Sequence, residues 1–383
     1  MSSTWQTIAI KDLGRVVTGR TPSSNNPEHF GSSYPFITPS DIALDNRHIE
    51  TERYVSEEGK EALERILLPK GAVCFVCIGA TIGKICMTSR PSFTNQQINS
   101  VVVDEAKYDS RFAFYALSQQ GGNAKSLAGG AATPIINKSA FSEIEIEAPD
   151  LPAQCKIAGI LSAYDDLIEN NLRRIKILEE MAQSLYREWF IHFRFPGHDS
   201  AGFADSALGQ IPKGWEVRTI EELVKRIPVG KKYDQKTANK TGAVPIFDQG
   251  KAGVIGYHDD QPGVDASETE PVIVFANHTC YQRLIHYPFS AIQNVLPFLP
   301  NPLLLRNIYW LHYATNGRLV LNDYKGHWPE FAALLVIVPP AEVCQRFGAF
   351  VAPLSLEILK LKRAVEILRR TRDLLLPKLL SGH

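Results

Sequence analysis

The sequence predicts an α+β protein in which two mixed globular modules are joined by two long helices forming an antiparallel coiled coil. Three observations carry that expectation: an internal duplication, an unbroken heptad spacing in both copies, and opposite charge on the two helices. The 383 residues suffice for two or three domains at roughly 150 residues each. A chain that is 44% hydrophobic and 21% charged buries a core and is not wholly disordered. The longest apolar candidate for a membrane span, Ala332 to Val338, stops at Pro339-Pro340. Met1 to Trp5 shows no basic-then-apolar secretory signal. Six cysteines are too few to staple a chain of this size, so the expectation is a reduced, cytoplasmic protein.

Residues 1–148 read as the first module, with 14 Lys/Arg against 16 Asp/Glu. The evidence for duplication starts here. Ile8 to Arg20 after Trp5 has a counterpart in Val217 to Gly230 after Trp215. Val73 to Ile78 resembles Val272 to Ala276. Phe93 to Gln97 matches Phe289 to Gln293, and Phe141 to Pro149 matches Phe331 to Pro339.

Residues 149–195 read as the first helix. Ile157, Leu161, Tyr164, Ile168, Asn171, Ile175, Leu178, Ala182, Leu185 and Trp189 follow a 4-3-4-3 spacing, the coiled-coil seam. This stretch gives about 50 Å of helix at 1.5 Å per residue. Ile160, Leu167, Leu172, Met181 and Tyr186 are apolar outside the seam, more than a two-stranded coil uses, so the outer face is expected to dock helices of another protein. Residues 196–214, with Gly197, Gly202, Gly209 and Pro212, are a turn-rich linker.

Residues 215–338 are the second module, and 339–383 the second helix. Its seam is Phe347, Val351, Leu354, Ile358, Leu361, Val365, Leu368, Arg372, Leu375 and Leu379, the first seam displaced along the chain. Pro353 is expected to kink this helix or to delay its start to Leu354. Residues 149–212 carry 6 Lys/Arg and 9 Asp/Glu, whereas 339–383 carry 8 and 4. Opposite flanking charge favours pairing of the two helices with each other over self-pairing.

Motifs for catalysis or metal binding are weak. Cys74-Phe75-Val76-Cys77 is a lone CxxC in a strand-like run, where residues three apart face opposite sides, so core cysteines are favoured over zinc ligands. His278 and Cys280 lack a second ligand pair, and no metal is expected. Gly79 to Lys84 is one residue short of a phosphate loop, with Ile85 where Ser or Thr would meet magnesium. It reads as a tight strand-to-strand turn with Lys84 placed to meet a phosphate. Glu105-Ala106-Lys107 fits the tail of a nuclease motif, but no Pro-Asp pair precedes it; chance is the simpler account. No amino-methylation motif or methyl-donor loop was found.

Taken together the chain resembles, end to end, the specificity subunit of type I restriction-modification systems. The sharpest local matches are Tyr164-Asp165-Asp166-Leu167-Ile168-Glu169-Asn170-Asn171 leading to Arg187-Glu188-Trp189-Phe190, and Leu208-Gly209-Gln210-Ile211-Pro212-Lys213-Gly214-Trp215. Weaker ones are Thr18 to Pro22, Gly79 to Lys84, Asn95-Gln96-Gln97 and the ending Lys378 to Gly382; Arg20 stands where the family often has a second glycine. The resemblance implies that 1–148 and 215–338 are target-recognition domains, each reading one half of a split double-stranded DNA sequence. It implies that 149–195 and 339–383 are helical spacers and that the chain is non-catalytic. Two modification (methyltransferase) subunits would dock on the helices, carrying S-adenosylmethionine, and restriction subunits would add ATP- and Mg-dependent translocation and cleavage.

Candidate DNA contacts follow from residue type and turn position. In the first module they are Arg20, Thr21, Lys84, Asn95, Gln97, Lys125, Thr133, Asn137 and Lys138. In the second, Lys231, Lys232, Lys236, Lys240 and Lys251 sit in a glycine-punctuated basic stretch suited to phosphate. Gln249, Arg283, Gln293, Asn294, Lys325 and His327 are polar groups near turns, suited to base edges. A solvated surface loop is the alternative for each. Other readings of the whole chain are a target-recognition subunit of a type II-like or methylation-only system, a protein-binding coiled-coil adaptor, or an active DNA-modifying enzyme.

Overall fold

The computed structural model describes residues 5–42, 47–127, 134–250, 253–304, 306–319 and 326–381. In chain order, the first half comprises β1 (Gln6–Ala9), α1 (Ile10–Leu13), β2 (Gly14–Thr18), β3 (Phe30–Ile37), β4 (Tyr54–Val55), α2 (Glu57–Leu63), β5 (Val73–Val76), β6 (Ile85–Met87), β7 (Phe93–Thr94) and β8 (Ile98–Val103). Then come α3 (Ser110–Ser118), α4 (Gly121–Leu127), α5 (Lys138–Ser142), β9 (Glu145–Ala148) and the long α6 (Leu151–Tyr186). The second half comprises the hairpin β10 (Phe203–Ser206) and β11 (Gly209–Pro212), then β12 (Glu216–Thr219), α7 (Ile220–Leu223), β13 (Val224–Arg226), β14 (Val244–Phe247) and β15 (Val254–His258). It continues with β16 (Val272–Ala276), β17 (Gln282–Ile285), β18 (Ser290–Ala291), β19 (Val295–Pro300), α8 (Ile308–Thr315), α9 (Trp328–Ala333), β20 (Leu335–Val338) and α10 (Ala341–Leu380).

These elements form two compact units, one of residues 1–172 with 364–383 and one of residues 173–363. Both long helices are therefore shared. In the first unit β1 pairs with β9, a four-stranded antiparallel sheet runs β2-β8-β5-β6, and a three-stranded sheet runs β4-β3-β7. The second unit repeats all of it: β12 with β20, then β13-β19-β16-β17, then β15-β14-β18. Even the unusual feature recurs, a short parallel pairing of β3 with β7 and of β14 with β18. Duplication is thus a matter of strand topology, deeper than the residue matches.

One residue match needs correcting. Cys77 N donates to Gln97 O and Asn277 N to Asn294 O, while Asn95 N donates to Ile37 O and Ile292 N to Phe247 O. These bonds align Gln97 with Asn294, one residue beyond the alignment of Phe93–Gln97 on Phe289–Gln293. Ladder hydrogen bonds, not side-chain identity, set the register here.

α6 starts after Asp150, whose carboxylate accepts from Ala153 N at 3.1 Å and caps the first turn. In the first unit Ile157 and Leu161 share a core with Leu375 and Leu379 of α10, together with Phe75, Phe112, Tyr115 and Phe141. In the second unit Ala182 and Trp189 share a core with Phe347 and Leu354, together with Phe275, Trp310 and Phe331. Facing seam positions thus run in opposite chain directions, and α6 and α10 are antiparallel. Leu161, Ile168, Ile175 and Ala182 are buried at seven-residue intervals, whereas Tyr164, Asn171, Leu178 and Leu185 are half-buried. On α10, Leu361 and Val365 are buried, while Leu354, Ile358, Leu368 and Leu375 are half-buried.

Three expectations about the helices change. α10 begins at Ala341 and passes Pro353 without a break; Pro353 is exposed, so the carbonyl its missing N–H leaves bare can be met by water. α6 ends at Tyr186 in a π turn, Arg187–Ile191. Tyr186 is buried, 6% exposed, against Phe190, Tyr313 and Phe347, so it belongs to the core and not to the outer stripe. Ile160, Leu167 and Met181 are exposed, as are Ile177 on α6 and Phe350, Ile367 and Leu374 on α10.

Candidate nucleic-acid interface

In each unit several nominated residues lie on turns that meet at one end of its four-stranded sheet. In the first unit the chain leaves β2 through Gly19, whose amide donates to Ile98 O at 3.1 Å, and Arg20, whose amide donates to Thr94 O at 2.9 Å. A Cβ on Gly19 would lie 2.2 Å from Asn95 O, so only glycine permits that approach. Thr21 donates to Gln96 Oε1 at 2.7 Å. Asn95 and Gln97 close the β7–β8 turn on each other, Nδ2 to Oε1 at 3.1 Å and Gln97 N to Asn95 Oδ1 at 3.1 Å. Arg20 and Gln96 are exposed and Gln97 half-buried, whereas Asn95 is buried. Gln96 was not singled out in the sequence, although it lies within the Asn95-Gln96-Gln97 motif and is the residue that points to solvent.

The β5–β6 turn, Cys77 to Lys84, stands beside this group. Lys84 Nζ donates to Pro39 O at 3.2 Å, so the expected phosphate ligand is engaged with backbone. Pro134 O accepts from Gly79 N at 2.9 Å, and Ile136 N donates to Cys77 O at 2.9 Å, which ties the segment before α5 to the turn. Asn137 caps α5 by accepting from Ala140 N at 2.8 Å. Lys138 and, on α4, Lys125 are exposed. Thr133 lies outside the described residues. Cys74 and Cys77 are buried, and Cys74 sits opposite Cys86 in the ladder. Burial pushes the Cys77 thiol up to about 11, a neutral thiol rather than a metal-binding thiolate. Among the described residues no cluster of three metal-ligating side chains occurs.

In the second unit the loop after β14, the β16–β17 turn and the β18–β19 turn meet. Gln249 Oε1 accepts from His278 N at 2.8 Å, and Thr279 donates to Gln249 O. Asn294 Nδ2 lies 3.0 Å from His278 Nε2. Arg283 donates to Gly250 O and lies 4.4 Å from the centre of the Tyr281 ring; burial holds its pKa below the usual guanidinium value. Cys280 and Asn294 have φ of 57° and 68°, left-handed backbone that costs of order 1 kcal/mol or more in a non-glycine residue and persists where surroundings impose it. Gln293 is exposed. His327 is 1% exposed, its amide donating to Asn277 O at 2.8 Å and its ring 3.0 Å from Glu330. It therefore braces α9 from within.

The basic stretch lies next to this turn, because Tyr233 bridges Ile292 and stacks on His258 at 4.2 Å. Lys231 pairs with Asp260 at 2.8 Å. Lys232, Lys236 and Lys240 are exposed, and Asp234 holds the turn between them by accepting from Lys236 N and Thr237 N. Lys251 and Lys325 lie outside the described residues. Exposed amides and cations on hydrogen-bonded turns suit contacts to phosphate and base edges.

One ionic group was not legible in the sequence. Asp165, which reads as a flanking charge, is 4% exposed; it accepts from Arg372 Nη1 at 2.7 Å and from Tyr115. Burial is the largest single influence on Arg372 and works against its charge, but the bonds and charges of Asp165 and Asp373 together outweigh it and raise its pKa. Arg47, buried beside them, bonds Asp166.

Comparison with known proteins agrees with this architecture. The family model for the type I restriction modification DNA specificity domain matches residues 2–180. The MjaIX specificity subunit of Methanocaldococcus jannaschii, a type I restriction enzyme subunit, is 27% identical over 99% of this chain and 93% of its own length. The HindI specificity subunit of Haemophilus influenzae is 38% identical over 46% of this chain and 39% of its own. In fold, the crystal structure of the type I restriction-modification S subunit from M. genitalium superposes with a TM-score of 0.65 at 17% identity, covering 99% of this chain and 96% of that one. The chain is thus similar, in sequence over nearly its whole length, to the specificity subunits of type I restriction enzymes.

Proposed function

We propose that this chain reads a bipartite double-stranded DNA sequence, one half-site per unit, and performs no chemistry itself. The observation that carries the reading is the repeated fold: two copies of one strand topology, each presenting turns with exposed polar and cationic side chains. Two readers on one duplex act together when their sites face the same side, about one helical turn or 34–36 Å apart, and the paired helices are the spacer in this reading. Two modification subunits dock on the helices, for which the exposed Ile160, Leu167 and Met181 offer apolar surface. S-adenosylmethionine resides on those partners, and ATP and magnesium on restriction subunits where these join. Overall charge is balanced, 41 basic against 41 acidic residues, which fits a subunit whose partners supply much of the phosphate contact. No helix of the described residues is long and apolar enough to cross a membrane, and we assign the protein to the cytoplasm with its DNA.

The test is selection from a randomised duplex pool by the chain assembled with its modification subunits, followed by sequencing of the bound fraction. Two short motifs separated by a fixed unspecified gap are expected. A single uninterrupted motif, or no enrichment, would overturn the reading.

A further inference from the structure

Lys84 and Arg283 were both nominated as outward-facing DNA contacts, yet each donates inward to a backbone carbonyl. Those carbonyls occupy the same place in the duplicated fold. Ile37 and Phe247 correspond, since each accepts from the residue that follows its parallel partner strand, Asn95 and Ile292. Pro39 and Gly250 follow them by two and three residues, so both acceptors sit in the loop leaving the third strand of the module. The cations arise two positions apart on corresponding strands. Val76 N donates to Lys84 O and, as its counterpart, Ala276 N donates to Tyr281 O, which aligns Lys84 with Tyr281. Arg283 stands two residues further on, hence on the same sheet face.

We propose that Lys84 and Arg283 are equivalent positioning residues, each of which fixes the recognition loop of its own module and so sets specificity for one half-site. The proposal rests on the bipartite reading above. In the second module the brace is tightly fitted. Arg283 bonds Gly250 O and lies between Tyr281 at 4.4 Å and Phe247 at 5.8 Å, and a Cβ on Gly253 would lie 2.9 Å from its Nε. The loop so held carries Gln249, whose side chain and carbonyl bond His278 N and Thr279. In the first module Lys84 holds a loop that Asp41 closes, accepting from Thr38 N at 2.7 Å and Thr38 Oγ1 at 2.6 Å. A phosphate ligand would leave the loop free and contribute equally on every sequence; a brace contributes only where the loop must be in place.

The experiment repeats the pool selection with the assembled complex carrying Lys84→Met or Arg283→Met, and with Lys84→Arg and Arg283→Lys as conservative partners. Lys84→Met should lower discrimination about tenfold or more in one half-site and leave the other unchanged. Arg283→Met should do the reverse, and the conservative variants should regain much of the loss. Affinity on non-specific duplex and its salt dependence should not move. A uniform drop in affinity with a salt slope smaller by about one would make these residues phosphate ligands and overturn the proposal. Intact half-sites, or both half-sites relaxed by one substitution, would also overturn it. If the unaltered complex selects no split motif, the bipartite reading fails and the brace falls with it; if it does select one and the variants match it, only the brace fails.

Discussion

Arg372→Ala should be the most damaging single change in the coiled coil. Its guanidinium is 12% exposed, the Asp165 carboxylate 5%, and they meet at 2.7 Å. Removing the arginine leaves Asp165 in the interior with Tyr115 as its remaining bonded partner there. A buried carboxylate that loses its bonded counter-charge costs up to about 3–5 kcal/mol, because the low-dielectric surroundings that strengthened the pair now penalise the charge, and the Arg47 guanidinium beside Tyr115 offsets part of that cost. Asp165→Ala should cost a similar amount for the converse reason. The double variant should cost clearly less than the sum, with a coupling of about 2–4 kcal/mol, since it leaves no orphaned ion. The half-exposed helix pairs Arg174–Glu357 and Lys362–Glu179, both at 2.8–2.9 Å, should contribute at most about 1 kcal/mol each. Urea unfolding of the four variants, resolved by hydrogen exchange at β2 and β8 of the first unit, measures this cycle. A cost under 1 kcal/mol for Arg372→Ala, or strict additivity, would refute a functional buried pair.

Further expectations follow from the same structure. One turn of four residues inserted into each helix, after Asn171 and after Leu361, should lengthen the gap of the recognised sequence and leave both half-sites intact; an unchanged gap in the bound duplexes removes the spacer role. Ile175→Asp places a carboxylate at a seam position that is 6% exposed and should cost several kcal/mol, whereas Leu178→Asp and Leu368→Asp, at half-buried positions, should cost less; thermal melts of the three rank them. The second unit should lose stability below neutrality. Burial lowers His312 to about 4, and Gln282 Nε2 donates to its Nδ1 at 3.1 Å, so the folded state holds the ring neutral. A folded pKa beneath the unfolded value means stability that is full above about pH 6.5 and is lost as pH falls toward 4, at most about 3 kcal/mol. His312→Gln should flatten that slope in urea midpoints taken from pH 7 to 4, and an unaltered slope would exonerate the residue.

The coil was legible because its signal is periodic and local. Among the seam positions read from spacing, Ile157 and Leu161 share a core with Leu375 and Leu379, and Ala182, Leu185 and Trp189 share one with Phe347, Val351 and Leu354. Helix ends were less legible. Pro353 looked like a barrier, but Phe347 and Val351 bury on the aromatic cluster of Tyr186 and Trp189, and that packing holds the turns before the proline helical. The π turn at Arg187–Ile191 leaves no mark in a heptad count. Module topology was only half visible: the repeat showed in Trp5 and Trp215, yet the parallel β3–β7 and β14–β18 contacts join segments far apart in the chain, which no local pattern encodes. Among the site residues, turn chemistry identified where polar groups gather, around Asn95 and Asn294. It did not tell which ones face solvent, because Lys84, Arg283 and His327 find their partners only through tertiary contacts.

Opposite flanking charge is expressed at the exposed pair Lys362–Glu179, but such pairs contribute little to the choice of partner. Arg174 on the acidic helix bonds Glu357 on the basic one, against the general trend, and exposed pairs of either polarity are screened by salt. The buried pair is expected to choose. The duplication that aligns the two seams sets Arg372 over Ala182 and Ser355 over Asp165. Two copies of α6 paired in the same antiparallel register would therefore face each Asp165 with Ala182, and two copies of α10 would face each Arg372 with Ser355. By symmetry either self-pairing buries the unmatched charge twice, several kcal/mol per site, whereas α6 with α10 buries none unmatched. Asp165→Ser with Arg372→Ala makes the two ends of the coil alike in this respect. Sedimentation of that double variant should then reveal chains joined through exchanged helices. If it keeps the parent's association state, seam shape alone selects the partner and the ion pair serves stability only.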